Sequence, residues 1–497
     1  MHASQRRFRN PHALPQSDEN HTNRTLSHRR IHLNCHSPQR FTRLGTHASL
    51  ALAVAGALAL PLCVQAGSFQ LPTDNAAGWA RANAGGSLFA NDPTAVYNNP
   101  AAMAFFDAPV LQITGTAIRP SSKFQGQFTD VTGQPVSGGN PNGFGKFQPF
   151  PNMAFAAPIN DRLTLGGSLT VPFGLVSQYN PTWQGRYFGT KTTVQSIALS
   201  LSAGFKVNDQ FALGVGVVGQ RTKAQLNTVL DTTGTATALY GAVGSPSPYG
   251  PPQGADEQLN VNLKKTAVGY FVGFEYKPTT ADSIGLSYHS RIGQTLGGNY
   301  AIYGGPLGKA LIVGGPLLAP TAGLPMLDPD GGPAQATLDM PAFASLDWVH
   351  QFNDRLTLAG SMKWTQWSNF KTLTLTSNGQ TLVSLPEAYK NSWVYALGGD
   401  YKLDDQWTLR AGVGYDQTPT NIVSRDPRIP DGSRRIVGFG FGYKATSHLA
   451  FDMAYQHQFV GKTPVHLTNQ LGLGAGSMAG NFDDHGDVVS VTGTYRF

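Results

Sequence analysis

The sequence predicts an all-β fold: a 14-stranded antiparallel transmembrane β-barrel with an N-terminal hatch, or plug. Three observations predict it. The last eleven residues, Asp487 to Phe497, place Val489, Val491, Tyr495 and Phe497 on one parity and Ser490, Thr492, Thr494 and Arg496 on the other. From about residue 109 the chain divides into alternating segments of roughly ten residues, the length of a tilted membrane strand. Short turns and long loops take turns between those segments, as on a barrel whose two rims differ.

In order from the amino end, residues 1–66 read as a presequence. Ala48 to Leu62 form an apolar run with Arg40 and Arg43 upstream, and Val64-Gln65-Ala66 ends it as a small-residue cleavage site. That is the three-part plan of a secretory signal. The run is too short for a spanning helix, which needs about twenty residues. Cys63 raises a lipid anchor, but Leu62 is bulky where a small residue should precede a lipidated cysteine. Residues 1–44 hold little periodicity and read as the product of a start codon assigned too far upstream. The pairs Arg6-Arg7 and Arg29-Arg30 are not adjacent to the apolar run, which argues against a twin-arginine address.

The whole chain carries 36 basic and 29 acidic residues, a net charge of +7. Residues 1–44 hold eight Arg against Asp18 and Glu19, so +6 of that belongs to the presequence. The basic balance therefore gives no argument for a nucleic-acid partner. Both cysteines, Cys35 and Cys63, also precede the cleavage site. A mature chain without cysteine suits an oxidising compartment and has no disulfide framework. Charged residues are 13% of the chain against about 25% in a soluble domain, which fits a surface that meets lipid.

Residues 67–107 come next and do not alternate. They are too apolar and too rich in small residues for a disordered tail. The lumen of a fourteen-stranded barrel is not filled by its own side chains, so a compact inserted plug is their natural place. The barrel then occupies 108–497. Ile197, Leu199, Leu201 and Phe205 alternate with mostly small or polar residues, as do Trp393, Tyr395, Leu397 and Tyr401, Trp407, Leu409, Val413 and Tyr415, and Val437, Phe439, Phe441 and Tyr443. Asn160-Asp-Arg-Leu-Thr-Leu165 recurs as Asn353-Asp-Arg-Leu-Thr-Leu358, with looser copies from Asn208, Asp404 and Thr446. Asn and Asp accept tight-turn dihedrals and bond their own backbone, so each copy marks a hairpin. Pro278 to Asp282 supplies a sixth short turn. Gly/Pro-rich stretches near 120–148, 173–191, 227–258, 298–338, 377–389, 417–432 and 461–486 supply seven long loops. Thirteen connections join fourteen strands.

Several motifs carry a family resemblance from the cleavage site to the last residue. Gly67-Ser-Phe-Gln-Leu71, Asn98-Asn-Pro-Ala-Ala-Met103, Pro172-Phe-Gly-Leu175, Trp183-Gln-Gly-Arg-Tyr187, Trp364-Thr-Gln-Trp-Ser-Asn-Phe370, Ile429-Pro-Asp-Gly-Ser-Arg434 and the terminal Phe497 resemble the long-chain fatty acid transporter family of the FadL/TodX type. The resemblance implies an outer-membrane channel for passive uptake of hydrophobic molecules, most of all long-chain fatty acids, with monoaromatic or other neutral hydrocarbons as the alternative cargo. It implies an extracellular apolar groove, an inner pocket and a lateral opening at a kink in the third strand. Phe69 would reach into the pocket. Asn99-Pro100-Ala101 would sit in the hatch facing the kink, near Gly166-Gly167. Ala102 departs from the Gly usual in the family. No cofactor or metal is implied; the partners are the cargo, outer-membrane lipid and, through Phe497, the barrel-assembly machinery.

The residues themselves bear on cargo. Leu307, Leu311, Ile312, Leu317 and Leu318 make the loop around 298–338 too apolar to be fully wet, and with Val229, Leu230, Leu239 and Tyr240 it could form a capture groove. A buried carboxylate needs a cation. Thr228 and Leu385 align with the basic pocket positions of fatty-acid transporters and are not basic; Lys390, Lys223 and Arg221 are neighbours that could substitute.

Other motifs lead nowhere. Gly214-Val-Gly-Val-Val-Gly219 has the dinucleotide spacing but sits in an alternating strand with no helix to receive a pyrophosphate. The six His beyond the presequence offer no metal-ligand spacing. A lipase-like barrel using His289 with Ser287 or Ser290 is the enzyme alternative, and an adhesin barrel the structural one. Adjacent strand residues face opposite ways, which argues against the first, and a plug segment argues against the second.

Overall fold

The computed structural model describes residues 68–140, 147–242, 244–318, 327–425, 427–468 and 475–497, without the side chains of 313–318. The presequence 1–66 lies outside the described residues.

Nineteen strand segments form one closed antiparallel sheet. β1 (Val110–Thr129) and β2 (Gln148–Pro158) are the first two staves. The third is two collinear pieces, β3 (Leu163–Thr170) and β4 (Gly174–Gln178). β5 (Lys191–Lys206), β6 (Phe211–Asp231) and β7 (Asp256–Tyr276) are long and unbroken. The next four staves are each broken in two: β8 (Asp282–His289) with β9 (Thr295–Tyr303), and β10 (Gly332–Thr337) with β11 (Phe343–Gln351). β12 (Leu356–Thr365) and β13 (Thr372–Ser377) follow, then β14 (Gln380–Pro386) and β15 (Ser392–Lys402). β16 (Trp407–Asp416), β17 (Arg434–Lys444), β18 (Leu449–Leu467) and β19 (Ser477–Arg496) complete fourteen staves. β19 pairs with β1 from Arg496 opposite Val110 to Ser477 opposite Thr129, which closes the barrel.

The six short turns are built as their side chains dictate. Asn160, Asn208 and Asn353 each accept two backbone N–H bonds through Oδ1, from the residues two and three positions on. Asp404, Thr446 and Thr279 do the same in their turns. Such a side chain stands in for the preceding residue's carbonyl and fixes the turn.

One expected loop is different. The stretch 377–389 holds a two-residue Asn378-Gly379 turn with φ of 48° and 79°, so β13 and β14 form a tight hairpin. Asn-Gly suits the left-handed dihedrals of that turn. Other loops are shorter than their Gly/Pro content suggested, because β1, β6, β7, β18 and β19 continue well beyond the apolar belt. Two loops carry helices instead, α3 (Thr232–Ala242) and α4 (Pro306–Leu318), which pack together.

Outward positions are apolar through the belt: Leu199, Leu201, Val215, Val217, Tyr270, Leu397, Val413 and Phe439 are all exposed. An apolar surface this continuous is stable in lipid and not in water. Aromatic residues gather at the inner rim, where Phe211 stacks on Tyr276 and Tyr495 packs against Phe497.

The inward face meets the segment Ser68–Phe106, which includes α1 (Ala76–Ala80), α2 (Ala95–Asn98) and a 3-10 turn (Pro100–Phe105). Asn75 caps α1, its Oδ1 accepting from Gly78 N. Wall glycines make room for this segment. Gly398 and Gly412 lie under the backbone of Arg81, Gly438 under Trp79 and Ala80, and Gly214 under Pro100 and Ala101. Gly214, the first glycine of the dinucleotide-like pattern, is therefore a spacing element. Arg81 is buried and bonds Asp400 at 3.0 Å, and Arg410 bridges Asp400 and Asp452 at 3.2 and 2.7 Å. A buried cation placed this way holds the segment to three staves, and removing either partner would strand a charge.

Gly214→Val would drive a side chain into the Pro100–Ala101 backbone. We expect the barrel to persist, seen as retained heat-modifiable mobility on a gel, while amides of Ser68–Phe106 lose hydrogen-exchange protection at least about tenfold. Unchanged protection would mean the segment does not depend on that contact.

Candidate functional site

The candidate site lies where the staves are broken. In the third stave the break is Val171-Pro172-Phe173, beyond Gly166 and Gly167, which remain inside β3. Pro172 has no N–H to give the ladder, so the strand breaks at the proline and not at the glycine pair. Five of the released backbone groups have partners, Phe173 O accepting from Ser196 N at 3.0 Å. Leu71 N donates to Pro172 O at 2.9 Å and Gly174 N to Phe69 O at 2.8 Å. Phe173 N donates to Ser196 Oγ at 2.9 Å and Val171 N to Asn152 Oδ1 at 3.2 Å. The start of the lumen segment thus acts as a local substitute for a missing strand partner.

The breaks of the ninth and tenth staves face the same place. Trp367 and Phe370 come from the first and Tyr389 from the second. Phe69, 1% exposed, lies 4.7 Å from Trp367, 6.0 Å from Phe173 and 6.2 Å from Phe370, centroid to centroid. Phe370 packs edge-on against Tyr389 at 5.0 Å. Three broken staves therefore contribute rings to one cluster around Phe69, an arrangement that aromatic quadrupoles favour.

Two apolar cavities lie outward of this cluster. The inner one is bounded by Phe69, Leu175, Val194, Leu263, Leu338 and Ile429. The outer one is bounded by Phe188, Thr228, Leu259, Val261, Leu375 and Leu385. They share Leu226, Ala336, Leu373 and Arg428, so they adjoin. A third, larger cavity lies on the other side of Gln70 and Leu71. It is the more polar one, its lining including Asp74, Lys363, Asp416 and Gln458. The strand-like piece Phe69–Leu71 is the partition between an apolar chamber and this more polar one.

Arg428 is the cation that the sequence reading missed. It sits just before Ile429 in the loop between β16 and β17, which tucks inward: Ser177 Oγ donates to Arg428 O at 3.0 Å and Tyr179 OH to Pro427 O at 2.8 Å. Thr228 and Leu385 do line the outer cavity, with Arg428 across from them. Glu387 shares the inner cavity wall. Both Arg428 and Glu387 are engaged by other groups of the protein. The signal available in the sequence was the adjacency of Arg428 to the Ile429–Arg434 motif.

The substitutes named from sequence are elsewhere. Arg221 and Lys223 share the outward parity of Val215 and Val217 and point away from the lumen. Lys390 is exposed, its backbone N bonded to Pro419 O. For Arg221 and Lys223 parity decided this: each lies one residue from an inward position, and one residue in a strand reverses the face; Lys390 lies in the break between β14 and β15. Asn99, Pro100 and Ala101 are buried in the lumen segment but rest on β6 and β7, not on the third-stave break. Asn99 Nδ2 donates to Phe274 O at 3.2 Å and Pro100 abuts Gly214 and Gly273. Gly166 faces Val96 and Met103 of the segment, and Gly167 faces Leu201.

In α4, Leu307 is exposed while Leu311 and Ile312 are buried, Ile312 in the same apolar cluster as Phe69 and Leu230. Leu317 and Leu318 lie outside the described side chains. His289 is stacked between Phe271 and Phe343 at 4.9 and 4.2 Å, with Nε2 3.4 Å from Asn98 O. That ring is built into the wall.

A family model described as "Outer membrane protein transport protein (OMPP1/FadL/TodX)" matches residues 57–497. The chain belongs to this family. It is a protein of the outer membrane. The long-chain fatty acid transport protein of Escherichia coli (strain K12) is 29% identical over 428 residues, 82% of this chain and 91% of that one. Outer membrane protein P1 of Haemophilus influenzae is 28% identical, covering 79% of this chain and 86% of its own length. The crystal structure of a Pseudomonas aeruginosa FadL homologue superposes with a TM-score of 0.82 at 43% identity, covering 87% of this chain and all of that one. The Pseudomonas putida toluene transporter TodX shares the fold, with a TM-score of 0.63 at 18% identity over 85% of this chain and 98% of its own.

Asp74 gives the lumen segment a pH dependence. Burial pushes its carboxyl up to about 6, against hydrogen bonds from Asn83, at 2.6 Å, and Asn98, at 3.0 Å. A carboxyl raised in the folded state lends stability below its unfolded value near 4, and that stability is lost as pH climbs through 6. Hydrogen exchange of segment amides should therefore quicken roughly tenfold or more between pH 4 and pH 7 once intrinsic rates are removed. Asp74→Asn should flatten that profile; an unaltered slope would assign it to another group.

Proposed function

We propose that this protein is a passive channel for hydrophobic molecules, first of all long-chain fatty acids. The observation that carries the reading is Arg428 in the wall of two adjoining, mostly apolar cavities above Phe69. An alkyl chain gains from the apolar lining, about 0.8 kcal/mol per buried methylene, and its carboxylate needs a fixed cation once desolvated. Arg428 supplies that cation with a planar fork of donors. Glu387 in the same wall opposes the carboxylate, which keeps the hold reversible, as a channel requires. The names of the relatives from E. coli and H. influenzae support transport at the outer membrane; TodX contributes the fold and keeps neutral hydrocarbon as the competing cargo.

In this reading α3 and α4 cover the outer mouth and the cavities hold the ligand. Phe69–Leu71 serves as the movable part of a hatch. Withdrawing it removes the floor of the apolar chamber and unpairs the third-stave break in one motion, opening a sideways exit towards lipid. The whole path runs downhill and calls on no cofactor. We infer as well that the exposed terminal Phe497 serves recognition by the barrel-assembly machinery during insertion.

Uptake of labelled oleate and labelled toluene by cells making the wild type, Arg428→Leu or Phe69→Ala at equal surface level tests this. Arg428→Leu should lower oleate uptake about tenfold or more and leave toluene uptake unchanged. Phe69→Ala should alter both, because it changes the floor and not the charge. Toluene uptake without any oleate uptake by the wild type would make this a hydrocarbon channel.

A further inference from the structure

On the outer wall the lipid-facing parity of β6 runs Leu213, Val215, Val217 and Gly219, then turns basic at Arg221 and Lys223. β7 mirrors the change, with Tyr270 and Val268 below Thr266 and Lys264. On β5 the apolar positions Leu201 and Leu199 give way to Gln195 and Lys191. Phe211 and Tyr276 mark the inner rim. Arg221 lies roughly 34 Å further along the strand, about 26 Å along the membrane normal at ordinary tilt. The apolar band of such a barrel is about 25 Å tall. These basic residues therefore stand at the depth of outer-leaflet head groups.

Their pairing is unusual. Lys223 is directly opposite Lys264 in the β6–β7 ladder, and Arg221, opposite Thr266, is diagonal to Lys264. Like charges placed opposite one another weaken a sheet. Among the described residues, the outward positions of β5, of β6 through Val229, of β7 from Gln258 onward and of β9 hold no Asp or Glu. The seam of the barrel is built otherwise: Arg119 stands opposite Asp487 and Lys123 opposite Asp483. The facing cations of β6–β7 are left for an external anion to neutralise.

We infer that Arg221, Lys223 and Lys264 form a binding site for a phosphorylated glycolipid of the outer leaflet. Its phosphate is held by the guanidinium fork and two ammonium groups, and its acyl chains lie along Val215, Val217 and Val268. The bound lipid offsets the Lys223–Lys264 repulsion and fixes the membrane depth of the longest hairpin in the barrel.

The test uses the purified full-length protein in mixed micelles, titrated with bisphosphorylated lipid A, with its dephosphorylated form and with inorganic pyrophosphate. Native mass spectrometry reads binding, and heat-modifiable gel mobility confirms a folded barrel. Wild type should bind bisphosphorylated lipid A saturably. The R221Q/K223Q/K264Q variant should bind about a hundredfold more weakly, and Lys264→Gln alone about fivefold. Lys123→Gln should match the wild type. Undiminished binding by the folded triple variant overturns the site. Equal binding of the dephosphorylated lipid reduces it to the apolar belt, and equal binding of pyrophosphate makes it a free-anion site; either result also overturns the proposal.

Discussion

In a lipid core a backbone N–H or C=O without a partner costs several kcal/mol, and everything in this structure answers to that constraint. It forces closure of β1 on β19. It also explains why the broken staves are not simple defects. The third stave is interrupted by Pro172, yet its carbonyl and the neighbouring amides bond Leu71, Phe69, Ser196 and Asn152. The functional site and the backbone ledger are the same place. A segment that satisfies a strand's orphaned groups can also release them, which a continuous ladder cannot do.

The fold was legible because lipid imposes a period of two on one parity of every stave. Ile197 to Phe205 and Trp407 to Tyr415 display it openly, and the Asn-Asp turns between staves announce their own geometry. Legibility ended where lipid ends. Above the belt the outward faces of β6, β7, β18 and β19 turn polar while inward residues such as Leu259, Val261, Val465 and Phe482 are apolar, so the lipid-facing period is lost and hydrogen-bonded strand reads as loop. The Asn378-Gly379 turn was visible as a hairpin signal, but polar surroundings hid it within a presumed long loop. The helices α3 and α4 gave no helical period of the kind an amphipathic stripe would print.

The site was legible in part. Phe69 and Pro172 lie in quoted motifs and meet at the third-stave break. The charges were not legible, because a cation in a strand serves the lumen or the membrane according to parity alone. Arg221 and Lys223 fell on the wrong side of that division, while Lys390 lies in a stave break and Arg428 in a loop, where parity gives no guidance at all. Glycine illustrates the same limit. Gly214, Gly398, Gly412 and Gly438 read as weak strand positions until the lumen segment is seen lying on them.

The closing seam has a consequence for how the molecule is made. The lumen segment precedes β1, yet Ala76 N bonds Thr492 Oγ1 on the final strand, a contact separated by 416 residues. Pairing of the first and last strands is the longest-range event in the sheet, and loop-closure entropy makes such contacts slow to form. Assembly must therefore enclose its contents before it shuts: the segment has to be in place while the seam is still open. Synthesis delivers that segment first and the seam last, so the chain's own chronology loads the barrel in the required order.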